Sequence, residues 1–198
     1  MDLAGYLRIQ ARANGLSNQR LGAALALLPA ADWSVPRTGF FPSIDGTLNH
    51  ILAVDRYYIA ALRRQSDPRL EWHDFAPCSG VAAWRQRQQA SDLQLIELCE
   101  SLDAAGLDAW VDLPRRDHVQ RDRVGHVLAH LFNHQTHHRG QVHAMLSGTS
   151  VAPPQLDEFM MPSEAHLRRA DMLALGWDEA AVYGAAPERA RRLRETHG

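Results

Sequence analysis

The amino-acid sequence predicts an all-α protein: a four-helix bundle with a C-terminal helical extension. Three observations lead there. Four long segments repeat apolar residues at helical spacing. The stretches between them carry proline and glycine as punctuation. A chain of 198 residues, 45% hydrophobic, can bury one sizeable core. Four amphipathic helices of this length close on one another as a bundle. The expected division is a bundle over residues 1–154 and an extension over 155–198.

The first helix is expected over residues 2–29, with Leu3, Leu7, Leu21, Leu25 and Leu28 on its apolar side and a local bend or break near Gly15 and Ser17. A loop follows, "PAADWSVPRTGFFP". Ser43 suits the N-cap of a second helix to about residue 64, with Ile44, Leu48, Ile51, Val54, Tyr58 and Leu62 facing the core. The run through Pro68 and Pro77 reads as loop. Ser79 then caps a third helix to about residue 102, whose core candidates are Val81, Trp84, Leu95, Leu98 and Leu102. Residues 107–120 read as irregular or as a short hairpin. The fourth helix is expected from about Asp122 to Leu146, closed by Gly148. Pro153 and Pro154 end the bundle. Beyond them, "SEAHLRRADMLALGW" and "PERARRLRE" suggest short helices that pack on the bundle or on a partner subunit, or roof a site.

Charge and composition exclude several function classes. The formal net charge of −2 gives no electrostatic case for nucleic acid or an anionic membrane. No apolar run approaches the roughly 18 residues that span a bilayer. The start, "MDLAGYLRIQARANG", lacks the basic end and apolar run of a signal peptide. Cys78 and Cys99 form neither a disulfide framework nor a CxxC spacing, so a cytoplasmic location is expected.

The histidines carry the chemistry. Four of the 11 lie in "HLFNHQTHHRG", residues 130–140. Each residue turns a helix by about 100°. With His134 at zero, Val127 and Met145 fall near +20°, Leu131 near +60°, and Val124 and Val142 near +80°. His138 falls at about +40°, inside that apolar arc, while His130 lies near −40° and His137 near −60°. His134 and His138 therefore point inward one turn apart, a pair able to grip one ion. In "TLNHILAVD", His50 stands beside Ile51 and Val54 and can approach the pair across the bundle. Three inward imidazoles from two helices would leave coordination positions open, as a catalytic metal site does. The plainer alternative makes them ordinary hydrogen-bonded core residues. Gln135 stands where an HExxH motif has its glutamate, which excludes that zinc-protease reading. His126, His137 and His143 are expected on the polar face; His130 is open between a supporting role and solvent.

Three blocks, "FFPSIDGTLNHILAVDRYY", "VLAHLFNHQTHHRGQVHAML" and "SVAPPQLDEF", closely resemble the DinB/YfiT-like family over about residues 1–160. The resemblance implies a frequently dimeric four-helix bundle that holds a divalent metal on one histidine of the second helix and an HxxxH pair of the fourth. Carried over, these are His50, His134 and His138. It also implies relatives that use low-molecular-weight thiols in S-transfer or isomerisation. The tail beyond residue 160 is longer than that pattern.

The resulting expectation is a divalent-metal enzyme of the thiol S-transferase or hydrolase type, with zinc or nickel as the metal, acting as a homodimer on a small-molecule substrate. Neutral ligands leave the ion its full charge, so a bound water or thiol loses a proton more easily. Asn133, Gln141 and Asp55 are candidate supports for the ligands. Arg139 is a candidate partner for an anionic thiol cofactor, or else a solvated arginine. Tyr57 or Tyr58 orients substrate or packs the core. Cys78 lacks an evident base and is not read as a nucleophile. The competing function is a stress-linked metal-binding or scaffold protein without turnover.

Overall fold

The structure is a computed structural model that describes residues 1–64 and 67–184. Helix α1 (Leu3–Leu25) starts on Asp2, whose carboxylate accepts from the Gly5 amide. It runs without interruption through Gly15 and Ser17, which corrects the expected break. Gly15 serves packing: a Cβ there would lie 3.2 Å from the Trp177 ring. Ser17 is accommodated by returning its hydroxyl to the Ala13 carbonyl at 2.9 Å. Helix α2 (Ile44–Arg63) is capped by Ser43 as the sequence suggests. It ends at Arg64, which takes a left-handed φ of 55°. The Arg64 side chain crosses to the Trp110 carbonyl at 2.6 Å, tying that end down.

The expected loop after α2 contains a short helix, α3 (Pro68–His73). Asp67 accepts from the Arg69 amide at 2.9 Å and proline occupies the first turn, where its missing N–H costs nothing. Helix α4 (Val81–Ser101) has Gly80 at its N-cap with no side-chain cap, so Ser79 does not play the part expected of it. Helix α5 (Ala104–Asp108) leads into a hairpin of β1 (Trp110–Pro114) and β2 (Val119–Arg123), paired antiparallel with Val111 opposite Asp122. Val111 and Leu113 point into the core. Because Asp122 and Arg123 are committed to β2, helix α6 begins at Val124 and runs to Leu146. Its end also differs from expectation. Ser147 stays right-handed, and Gly148 makes only a short return bond to Met145, without a positive φ.

α1 packs against α4 and α6, and α2 against α6 and α4, giving the four-helix core. One apolar cluster joins Leu7, Tyr58, Leu95 and Leu131 to the hairpin; another joins Leu21, Leu48, Trp84 and Met145. The C-terminal segment forms a 3₁₀ turn (Pro162–Leu167), α7 (Arg169–Leu175) and α8 (Glu179–Tyr183). Phe159 and Met172 pack on Ala13 and Leu16 of α1. Arg168, wholly buried, donates to Glu179 and to the carbonyls of Glu158 and Met161. Arg20 holds Glu158 and Asp171 from the α1 side. The "PERARRLRE" stretch lies outside the described residues. Among those described, no helix is long and apolar enough to cross a membrane.

Candidate metal centre

Helix α2 presents His50 about two turns from its cap, and α6 presents His134 and His138 one turn apart on the side packed against α2. Their ring nitrogens all lie within 4.8 Å of one another. Nε2 of His50 and Nε2 of His134 are 2.9 Å apart. Two nitrogens this close need either one shared proton or one shared ion. Burial draws His50 down to about 4 and His134 to about 3, and mutual repulsion adds to this, chiefly from His138. Both rings are therefore neutral near pH 7, the state in which imidazole binds a metal.

The hydrogen bonds around the cluster fix one ligand and leave another short of partners. His138 Nδ1 lies 2.8 Å from Gln141 Oε1, so it carries the proton and leaves Nε2 bare. The Gln141 amide nitrogen in turn donates to His137 Nε2 at 3.2 Å. His134 Nδ1 is buried without a partner. Phe41, from the loop before α2, stacks on His50 with ring centroids 4.3 Å apart and lies 5.5 Å from His138. Nitrogens held about 2.0–2.1 Å from one tetrahedral zinc ion are roughly 3.4 Å apart. The cluster brackets that spacing, with one pair closer and the widest within 4.8 Å, so small ring rotations close it on an ion. Neutral donors, an orphaned ring nitrogen and a ready-made hydrogen bond behind His138 fit a divalent metal.

On its other side the cluster opens. His134 lines a cavity of about 560 Å³ together with Tyr57, Tyr58, Trp72, Arg115 and His130. No residue of the described tail lines it; those residues pack on α1 instead, the first of the uses the sequence suggests for that segment. His130 is exposed, its ring 6.2 Å from His134 and 5.6 Å from Tyr58. Trp72 of α3 meets His50 edge-on at 6.4 Å. Sequence reading missed both Trp72 and Phe41. An aspartate followed by proline at 67–68 was the available sign that a helix starts there.

Other candidates land elsewhere. Asn133 is exposed. Asp55 and Arg139 belong to a second buried cluster, between all four long helices. There Asp92 accepts from Asn14, Asn18 and Gln88, and Gln88 also donates to Asp55 at 2.9 Å. Arg139 donates to the side-chain oxygens of Asn14 and Asn18. It is buried, not the solvated arginine, and its hydrogen bonds go to this network although it follows His138 in the chain. Burial raises both carboxyls and lowers the guanidinium. Tyr57 gives its hydroxyl to the Pro114 carbonyl at 2.7 Å and so braces the hairpin. Cys78 and Cys99 are free and buried, and burial pushes the Cys99 thiol up to about 12. A family model described as the DinB family matches residues 10–171, which takes in the bundle and the start of the C-terminal segment. No curated protein matches the chain.

Proposed function

The chain belongs to the DinB family, and from that premise we propose that it is a metal-dependent enzyme with His50, His134 and His138 as ligands of one divalent ion, zinc or nickel. The observation that carries this reading is the cluster itself: three imidazole nitrogen donors from two helices within 4.8 Å, one of them opening onto a cavity. A sealed cluster would suit storage or structure; an open one suits exchange of a bound molecule. This favours turnover over the stress-linked binding protein.

When bound, the ion supplies Lewis acidity that lowers the pKa of a coordinated water or thiol near neutral pH. The protein's own residues do the rest. Gln141 holds the His138 proton on Nδ1. Phe41 covers one side of His50 and keeps bulk water off it. The α2–α6 packing fixes the angle between the ligands, and the cavity admits the second reactant beside His134. Thiol S-transfer to an electrophile, with a low-molecular-weight thiol as co-substrate, and hydrolysis are the two reaction types this arrangement serves. A cytoplasmic homodimer is part of the same proposal, with residues 155–198 as an extension that steadies the bundle of residues 1–154.

Elemental analysis of the purified chain tests the ligand set. One zinc or nickel per chain is expected, lost in His50→Ala and in His138→Ala. A full equivalent of metal surviving both substitutions would overturn it. Thiols and electrophiles assayed with metal added back then separate transfer from hydrolysis. Sizing chromatography checks the dimer.

A further inference from the structure

The cavity beside His134 has a composition that the metal does not explain. Its walls are largely ring systems, and its charged groups are all arginines. Tyr57 and Tyr58 come from α2, Trp72 from α3, and Arg115 and Arg116 from the turn of the hairpin. Arg69 also lines it, but its guanidinium is closed onto Asp67 through contacts of 2.6–3.1 Å. No aspartate or glutamate lines the cavity.

Arg115 is held in place by neutral partners alone. Its Nη2 donates to the Tyr58 hydroxyl at 3.1 Å and to Gln120 Oε1 at 2.9 Å, and its Nε donates to the same Gln120 oxygen. The guanidinium lies 5.3 Å from the Tyr57 ring centroid and 5.6 Å from that of Tyr58. These contacts orient the charge without cancelling it. Arg116 stands exposed at the rim. Around the turn Asp117 pairs with His118 and Asp112 with Arg121. Asp122 accepts from Gln120 and is the one carboxylate whose charge acts on Arg115; it does not line the cavity. The cavity therefore offers aromatic walls, positioned positive charge and His134 in one lining. A low-dielectric cleft lined by one sign of charge concentrates ligands of the other sign.

We propose that this cavity is the substrate pocket of the histidine site and selects an organic anion: a carboxylate or phosphate on a flat apolar body. The oxyanion lies on Arg115 and Arg116, and the body lies between Tyr58 and Trp72. The reacting end reaches His134; only that last clause rests on the metal reading. Arginine presents paired donors suited to either oxyanion, so both share one recognition chemistry.

The test is calorimetric binding of three matched probes to the full chain: 2-naphthoate, 2-naphthyl phosphate and neutral 2-naphthamide. At least one anion should bind about tenfold or more tighter than the amide, and the preferred anion identifies the oxyanion. Arg116→Gln and Arg115→Gln should each weaken that anion about five- to tenfold while leaving the amide unchanged. Arg116 is the cleaner site, because its exposed side chain supports no other element. The proposal is overturned if neither anion binds, if the amide matches both anions, or if anion affinity ignores both substitutions. His50→Ala, at a residue that backs Trp72 and His134 but does not itself line the cavity, separates this pocket from the metal. Anion preference kept in that variant supports the pocket on its own arginines. Wild-type protein that prefers the anion yet takes up neither zinc nor nickel would sink the metal reading alone.

Discussion

Residues 134 and 135, and again 138 and 139, are neighbours in the chain that α6 delivers to opposite settings. His134 and His138 join a half-buried cluster whose nitrogens crowd together, with one ring atom lacking any partner. Gln135 and Arg139 enter a sealed network tied to α1, α2 and α4. Charge in the sealed network is balanced from within: two carboxyls face one guanidinium, and burial favours keeping a proton on the pair. A proton on Asp55 would also turn its unpaired Oδ1 into a donor beside Gln135, whose amide approaches it. The histidine cluster has no internal remedy of that kind. Three neutral imidazoles can share a proton between two of their nitrogens, as the His50–His134 contact allows, but a divalent cation is the one partner that all three can hold at once. Hydrogen-bond satisfaction does not separate the two clusters, since Asp55 Oδ1, Gln88 Oε1 and both ends of the Gln135 amide also lack partners. The lesson is that opposite charges brought together make a polar interior structural, whereas neutral donors gathered without a counter-charge point to a cation.

The largest effect should come from breaking the sealed network. Arg139→Met leaves Asp55 and Asp92 without their cation and should cost about 3–5 kcal/mol in urea unfolding. His134→Leu in metal-free protein should cost about 1 kcal/mol, because it gives up one neutral contact to His50 while removing a ring nitrogen that already lacks a partner. If the two variants lose equal stability, the contrast between the clusters fails. Metal addition should then act on one cluster alone. Zinc at a hundred times its dissociation constant should stabilise the wild type by about 2.7 kcal/mol. That increment should vanish in His50→Ala and persist in Asp92→Asn, read as the shift in melting temperature on adding zinc. Next in size is the support behind the ligand. Gln141→Leu strips the acceptor from His138 Nδ1 and should weaken zinc about tenfold while leaving one ion per chain, measured by competition with a chelator.

The sequence exposes one cluster far better than the other, for a physical reason. A metal site needs particular residue types at helical spacing, so His50, His134 and His138 stand out once their angles on the helix are counted. The buried network needs only amides and opposite charges that meet in space. Asn14, Asn18, Gln88 and Arg139 each look like solvated residues until their partners are seen. The fold divides in a similar way. Ser43 and the period of α2 and α6 announce the long helices, whereas α3 has six residues and cannot show a period. The break expected at Gly15 rested on helix propensity, which tertiary packing against Trp177 overrides. Trp72, Arg115 and Arg116 reach the cavity from short connections, where spacing says little about which residues meet.

The smallest effect, and the sharpest on sign, is the dependence of metal-free stability on pH. His50 and His134 have folded values below the ordinary 6.5. As the pH falls from about 6.5 towards about 4, the unfolded chain takes up protons that these rings refuse. Their contribution to stability therefore falls with pH. Asp55 and Asp92 act in the reverse sense. Their folded values lie above the ordinary 3.8, so the folded chain keeps protons that the unfolded chain has released. Their contribution is greatest at low pH and is lost as pH rises through the raised values. Each slope should stay well below the ~1.4 kcal/mol per pH unit of one fully linked proton, because solvent reaches the half-buried rings and the carboxyls share charge with Arg139. His134→Gln should therefore gain on the wild type as the pH drops from 6.5 to 4. Asp92→Asn should gain on it as the pH rises over the same range. Urea midpoints measured at half-unit steps resolve both differences, and slopes of the same sign would show that the two clusters do not differ in the way their hydrogen bonds imply.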